Sequence, residues 1–147
     1  MAGRATAVFS GDELVQRVRQ LALSLGLQAR TQVRVARRIW GAVRRIDIVL
    51  THEETRRTLG IECKFQGTQG TAEEKIPSTI QDIAAWPIRG LVVFAGDGFT
   101  PNMRSFLIAS GKAVEFDELR EWLTLYFGLP EKILEEPPPA ATDVDAD

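Results

Sequence analysis

Apolar and polar residues alternate along this chain in two periods, and the switches between them mark out its elements. From Asp12 to Leu27, the residues Leu14, Val15, Val18, Leu21, Ala22 and Leu25 recur at helical spacing. Ser10 stands where an N-cap would, Glu13 falls three residues later as in a capping box, and Gly26 lies near the end. Val33 to Trp40 alternates apolar and basic side chains, the mark of a half-exposed strand. Two more strands are predicted at Ile46–Leu50 and Thr58–Phe65, with polar residues from Thr51 to Arg57 between them. After a Gly/Thr/Gln loop, a helix is expected over Ala72–Ala85, interrupted early by Pro77. Gly90 to Ala95 is almost continuously apolar, the pattern of a strand covered on both faces. Gly96, Asp97 and Gly98 turn the chain, and Thr100-Pro101 opens a helix to about Ala109 with proline at its first position. A short strand at Ala113–Phe116 and a helix at Asp117–Phe127 complete the series. Helix, three strands, helix, strand, helix, strand, helix is the order of an α/β layered domain.

Composition narrows the classes. The chain has 147 residues, enough for one domain with a real core, expected over residues 1–134. The remainder, 135–147, is acidic, proline-rich and free of aromatics, and is expected to be disordered. No apolar run approaches the roughly 20 residues of a membrane span, and no signal-peptide pattern opens the chain, so no membrane contact is expected. One cysteine excludes an internal disulfide framework and fits a cytoplasmic location, and one histidine excludes a His-rich zinc site. The net charge of −2 hides an asymmetry. Residues 1–46 carry nine arginines against Asp12 and Glu13, a balance of +7, which leaves −9 for the rest. A basic half running directly into Asp47 points to a polyanion, and the guanidinium fork suits phosphate. Arg37, Arg38, Arg44 and Arg45 are the candidates; the plainer reading is a solvated face.

The chemistry concentrates where two strands carry charges in their interior. If Ile46–Leu50 and Thr58–Phe65 pair as a hairpin with Leu50 opposite Leu59, the same register puts Asp47 opposite Glu62. Alternation puts Glu62 and Lys64 on one face and turns the Cys63 side chain away. Two acids and an ammonium then meet on an otherwise hydrophobic sheet, and charges so placed need partners. A structural ion pair of Asp47 with Lys64 is the plain alternative. For Glu13 a capping box alone, and for Gln66 a place in its loop alone, are the equal alternatives.

Asp47 on one strand, Glu62-Cys63-Lys64 on its hairpin partner and a helix to follow resemble the PD-(D/E)xK nuclease superfamily, the fold of many restriction endonucleases and junction resolvases. The resemblance covers roughly residues 10–116, and Ile46 replaces the motif's proline. It implies a three-layer restriction-endonuclease-like core, with a central mixed sheet of four to five strands flanked by helices. It implies a metal-dependent DNA endonuclease using Mg²⁺, with Mn²⁺ able to substitute. Asp47, Glu62 and the Cys63 backbone carbonyl would be metal ligands, and Glu13, on the first helix, a further one. Lys64 would assist the attacking water. Gln66 resembles a glutamine found in several branches, where it would position the water or the phosphate. DNA is the implied partner, and two strands to cut leave room for a homodimer. A catalytically silent nucleic-acid-binding or assembly subunit is the alternative.

Overall fold

A computed structural model describes residues 10–37, 43–67 and 76–130. Helix α1 spans Gly11–Ser24, and the Ser10 hydroxyl accepts the Glu13 N–H at 3.0 Å as its N-cap. The helix stops before the apolar period does. Leu25 and Leu27 stay buried, but Gly26 adopts φ +86°, a left-handed turn that ends the helix without a Cβ penalty.

Strand β1 then runs Gln28–Arg37, starting five residues before the alternation that announces it. Its first residues are polar, yet they pair with β2 (Val43–His52) from Gln28↔Thr51 onward. An edge strand needs no apolar face toward solvent, so composition hides its start. The expected end of this strand near Trp40 lies outside the described residues. β2 extends beyond Ile46–Leu50 at both ends, and a tight turn leads into β3 (Arg57–Phe65). Next come α2 (Ile76–Ala84), β4 (Gly90–Ala95), α3 (Pro101–Ala109) and β5 (Ala113–Glu115). Thr100 caps α3 and Pro101 follows it, as the sequence suggests. A single 3₁₀ turn at Phe116–Glu118 precedes α4 (Leu119–Phe127), where one longer helix was expected. Residues 68–75, the start of the predicted Ala72–Ala85 helix, and the expected disordered segment 135–147 lie outside the described residues.

The five strands form one mixed sheet in sequence order. β1–β2–β3 are antiparallel, and β3–β4–β5 are parallel. β3 is therefore the junction of the two halves. Alternation on β4 feeds two cores. Leu91 and Val93 join Leu14, Val18 and Ala22 of α1 and Leu119, Leu123 and Phe127 of α4. Val92 and Phe94 turn the other way, toward Ile83 of α2 and Trp86 just after it and toward Leu107 of α3. The result is a three-layer α/β domain, as expected. Among the described residues no helix is long and apolar enough to cross a membrane.

One contact fixes the α2 layer. Gly60 and Gly90 lie side by side in the β3–β4 ladder. A Cβ on Gly60 would come within 2.9 Å of the Trp86 indole, and one on Gly90 within 2.8 Å of the Ile83 Cβ. The paired glycines make a flat seat on which the indole rests. Gly90→Ala is thus expected to cost about 1–3 kcal/mol by overpacking. Gly11→Ala, where nothing lies within 4 Å, should be neutral or slightly stabilising. Urea midpoints at unchanged m-value would check both, and an unperturbed Gly90→Ala protein would remove Trp86 from this role.

Candidate functional site

The hairpin of β2 and β3 opens into a fork. Pairing runs from His52↔Arg57 through Leu50↔Leu59 to Ile48↔Ile61 and stops there. β3 continues beside β4 as far as Phe65↔Ala95, and β2 continues beside β1 through Ile46↔Val33 and Arg45↔Arg34. Each central strand keeps its outer neighbour and loses the other. The register is the one read from Leu50 and Leu59, so Asp47 and Glu62 are the first residues beyond the fork.

A side chain bridges the opening. The Asp47 Oδ2 accepts the backbone N–H of Cys63 at 2.9 Å, taking the place of a strand carbonyl. The backbone is twisted at this point. Ile48 packs in the α1/α4 core, whereas Ile46, two residues earlier, packs with Val33 in the α2 core. In a regular strand they would share a face. Across the sheet from Asp47, Gln32 drops out of the ladder and adopts φ +52°. The twist swings the Asp47 carboxylate into the fork.

Burial acts most strongly on Glu62, pushing its carboxyl up from 4.5 to about 7. The Asp47 charge adds to the push, the Lys64 ammonium and the Asp47 backbone N–H oppose it, and Asp82 on α2 adds a last increment. Lys64 Nζ stands 3.9 Å from Glu62 Oε2, an ion pair too loose to cancel two acids. Cys63 turns its side chain into the opposite core, as alternation requires. Burial first, then the charges of Asp47 and Glu62, push its thiol well above the ordinary range, so it is no thiolate ligand. Its N–H points into the fork, and by strand geometry its carbonyl points there too.

Asp47, Glu62 and this carbonyl are hard oxygen donors gathered on a partly buried patch with excess negative charge. That donor set fits a divalent cation that keeps several waters, such as Mg²⁺. Among the described residues no group of three or more His, Cys, Asp or Glu side chains gathers as a ready-made metal cage.

Gln66 is a structural lock. It is buried, its N–H bonds to Ala95, and its carbonyl accepts from the Gly98 N–H at 2.8 Å. Its side-chain Nε2 donates to the Gly98 carbonyl at 2.9 Å, while Oε1 is a buried acceptor without a partner among the described residues. Gly96 makes this closure possible, since a Cβ there would lie 2.3 Å from the Gln66 oxygen and its φ is +108°. Glu13 lies in the first turn of α1, which packs the other face of the sheet, and its carboxylate meets Arg17 at 3.0 Å. Arg45 is exposed on β2, Arg37 and Arg44 fall within the β1–β2 ladder, and Arg38 lies outside the described residues. Asp82 is a residue the sequence did not single out. Only the packing of α2 above Val49 and Val92 brings it near Glu62.

A family model for the PD-(D/E)XK nuclease superfamily domain matches residues 4–125. The crystal structure titled "Protein of Unknown Function AF1548" is 18% identical with a TM-score of 0.48, covering 70% of this chain and 58% of that one. This chain thus spans under two thirds of that protein's length. No curated protein matches the sequence.

The raised carboxyl has a testable consequence. Between 4.5 and about 7 the folded protein holds a proton on Glu62 that the unfolded chain has lost. Metal-free stability should therefore fall as pH rises through that window. Glu62→Gln should remove this slope, leaving the variant more stable than the parent at pH above 7, by at most about 3 kcal/mol. Added Mg²⁺ should restore the parent and leave the variant unmoved. Thermal unfolding across pH, with and without Mg²⁺, checks this; parallel profiles would exclude a strained Glu62.

Proposed function

The chain belongs to the PD-(D/E)XK nuclease superfamily, and on that premise we propose that it is a metal-dependent DNA endonuclease in which Asp47 and Glu62 hold Mg²⁺ and Lys64 assists the attacking water. The observation that carries this reading is the fork, where two carboxylates converge beyond the last ladder pair and Glu62 is pushed up to about 7. A purely structural pair would bring one acid against one base. Here a second acid shares the site, and its proton is the one a cation would displace.

A bound Mg²⁺ would lower the pKa of water and neutralise phosphate charge, and Mn²⁺ has the ligand preferences to substitute. Asp47 and Glu62 supply the carboxylates, and the Cys63 carbonyl a third oxygen. Lys64 extends from the same face as Glu62, where its ammonium orients the attacking water and offsets charge building on the phosphoryl oxygens. Gln66 holds the strand end that carries Lys64, and its spare Oε1 is an acceptor for a water. Arg37, Arg38, Arg44 and Arg45 would take backbone phosphates, and two copies would serve the two strands of a duplex.

Plasmid, linear, single-stranded and four-way-junction DNA, each incubated with Mg²⁺ or EDTA, test activity, metal dependence and substrate form together. Glu62→Ala and Asp47→Asn should abolish cleavage; the asparagine keeps an acceptor for the Cys63 N–H, so the fold survives. Lys64→Ala should slow cleavage by about 10²–10⁴-fold. Full activity in the Glu62→Ala protein would sink the mechanism, and DNA binding without cleavage in the parent would favour an assembly subunit.

A further inference from the structure

Beside the fork, two like charges face each other. Arg34 on β1 and Arg45 on β2 are directly opposed in the antiparallel ladder, and both side chains are exposed. Such a pair is disfavoured in a sheet, because its side chains stand on one face a few ångströms apart. Other arginines have inward contacts. Arg17 meets Glu13, Arg104 meets Glu115, and Arg57 lies 4.4 Å over the Tyr126 ring. Among the described residues neither Arg34 nor Arg45 has a carboxylate or a ring. Their positions are also fixed. The ladder holds at Val33↔Ile46 on one side, and a register shift follows immediately on the other, between Arg34 and Ala36.

We propose that the opposed guanidinium groups of Arg34 and Arg45 form one site for a non-scissile phosphate of the nucleic-acid backbone. The inference rests on the nuclease reading and adds to it a residue, Arg34, and a paired mode of holding the phosphate. Two guanidinium forks on one face present convergent N–H donors that match the oxygens of a phosphodiester, and an anion between them turns mutual repulsion into attraction. Arg45 stands two residues from Asp47 on β2; because Val33 and Ile46 enter the α2 core, Arg34 and Arg45 stand on the other face of the sheet, where the fork opens toward β1. The site reads no base, so it sets the strand's position and not its sequence.

The test uses the Glu62→Gln protein, so that binding is measured without cleavage, on a labelled DNA duplex over a series of salt concentrations. Arg34→Glu turns the like pair into a cross-strand ion pair. It should leave the melting temperature equal or higher while weakening binding about three- to tenfold and lowering the salt slope by about 0.9, one phosphate's worth. Arg120→Glu, the same charge change on α4, controls for net charge and should leave the slope alone. An unchanged slope in Arg34→Glu, or an equal fall in Arg120→Glu, overturns the site while cleavage by the parent chain keeps the nuclease reading. A parent chain that neither binds nor cuts DNA overturns both.

Discussion

The hydrogen bond from the Cys63 N–H to the Asp47 carboxylate is the contact on which the rest of this structure depends. A sheet whose central strands separate leaves backbone donors without partners, and a buried donor left unpaired costs about 1–3 kcal/mol. Asp47 supplies the missing acceptor, so the fork can open without that loss. The side chain that repairs the ladder is thereby held in the gap, beside Glu62. Fold and chemistry meet at one carboxylate: an apolar residue at 47 would leave the Cys63 N–H unsatisfied as well as removing a charge.

The second constraint is electrostatic. The chain spends stability to keep Glu62 half-buried next to Asp47, with only a loosely placed Lys64 in return. Hydrophobic packing around the fork makes this tolerable. Ile46, Ile48 and Ile61, next to the acids in sequence, are fully buried, and the two cores they enter are held by different helices. The strain is local because its support is distributed. Were a cation to bind as proposed, it would remove the repulsion that packing alone sustains.

Much of this was legible in the sequence, and the parts that were not have physical reasons. The hairpin register followed from matching Leu50 to Leu59, because a one-residue slip would have turned every apolar side chain outward. The buried strand at Gly90–Ala95 announced itself by having no polar face. The start of β1 did not, since an edge strand with one wet face can begin on Gln28 and Arg30. The twist at Asp47 was invisible for a different reason. Ile46 and Ile48 look alike in a pattern, and only the separate cores they enter reveal that alternation fails between them. Asp82 was hidden because its position depends on where α2 lies across the sheet, and helical periodicity says nothing of that.

The end of β3 shows how far such a site reaches into its scaffold. Lys64 is followed after one residue by Gln66, whose backbone and side chain together make one hydrogen bond to the end of β4 and two to the turn beyond it. That turn passes so close that only glycine fits at position 96. Lys64 is thus held between a ladder on one side and a locked corner on the other, while the opposite edge of the fork is free to follow β1. One wall of the site is rigid and carries Glu62 and Lys64. The other carries Asp47 on a strand whose neighbour, Gln32, has left regular geometry. On the proposed binding of an ion, any adjustment of the spacing between the two acids would therefore fall on β2, and the bond from Cys63 to Asp47 would limit its extent.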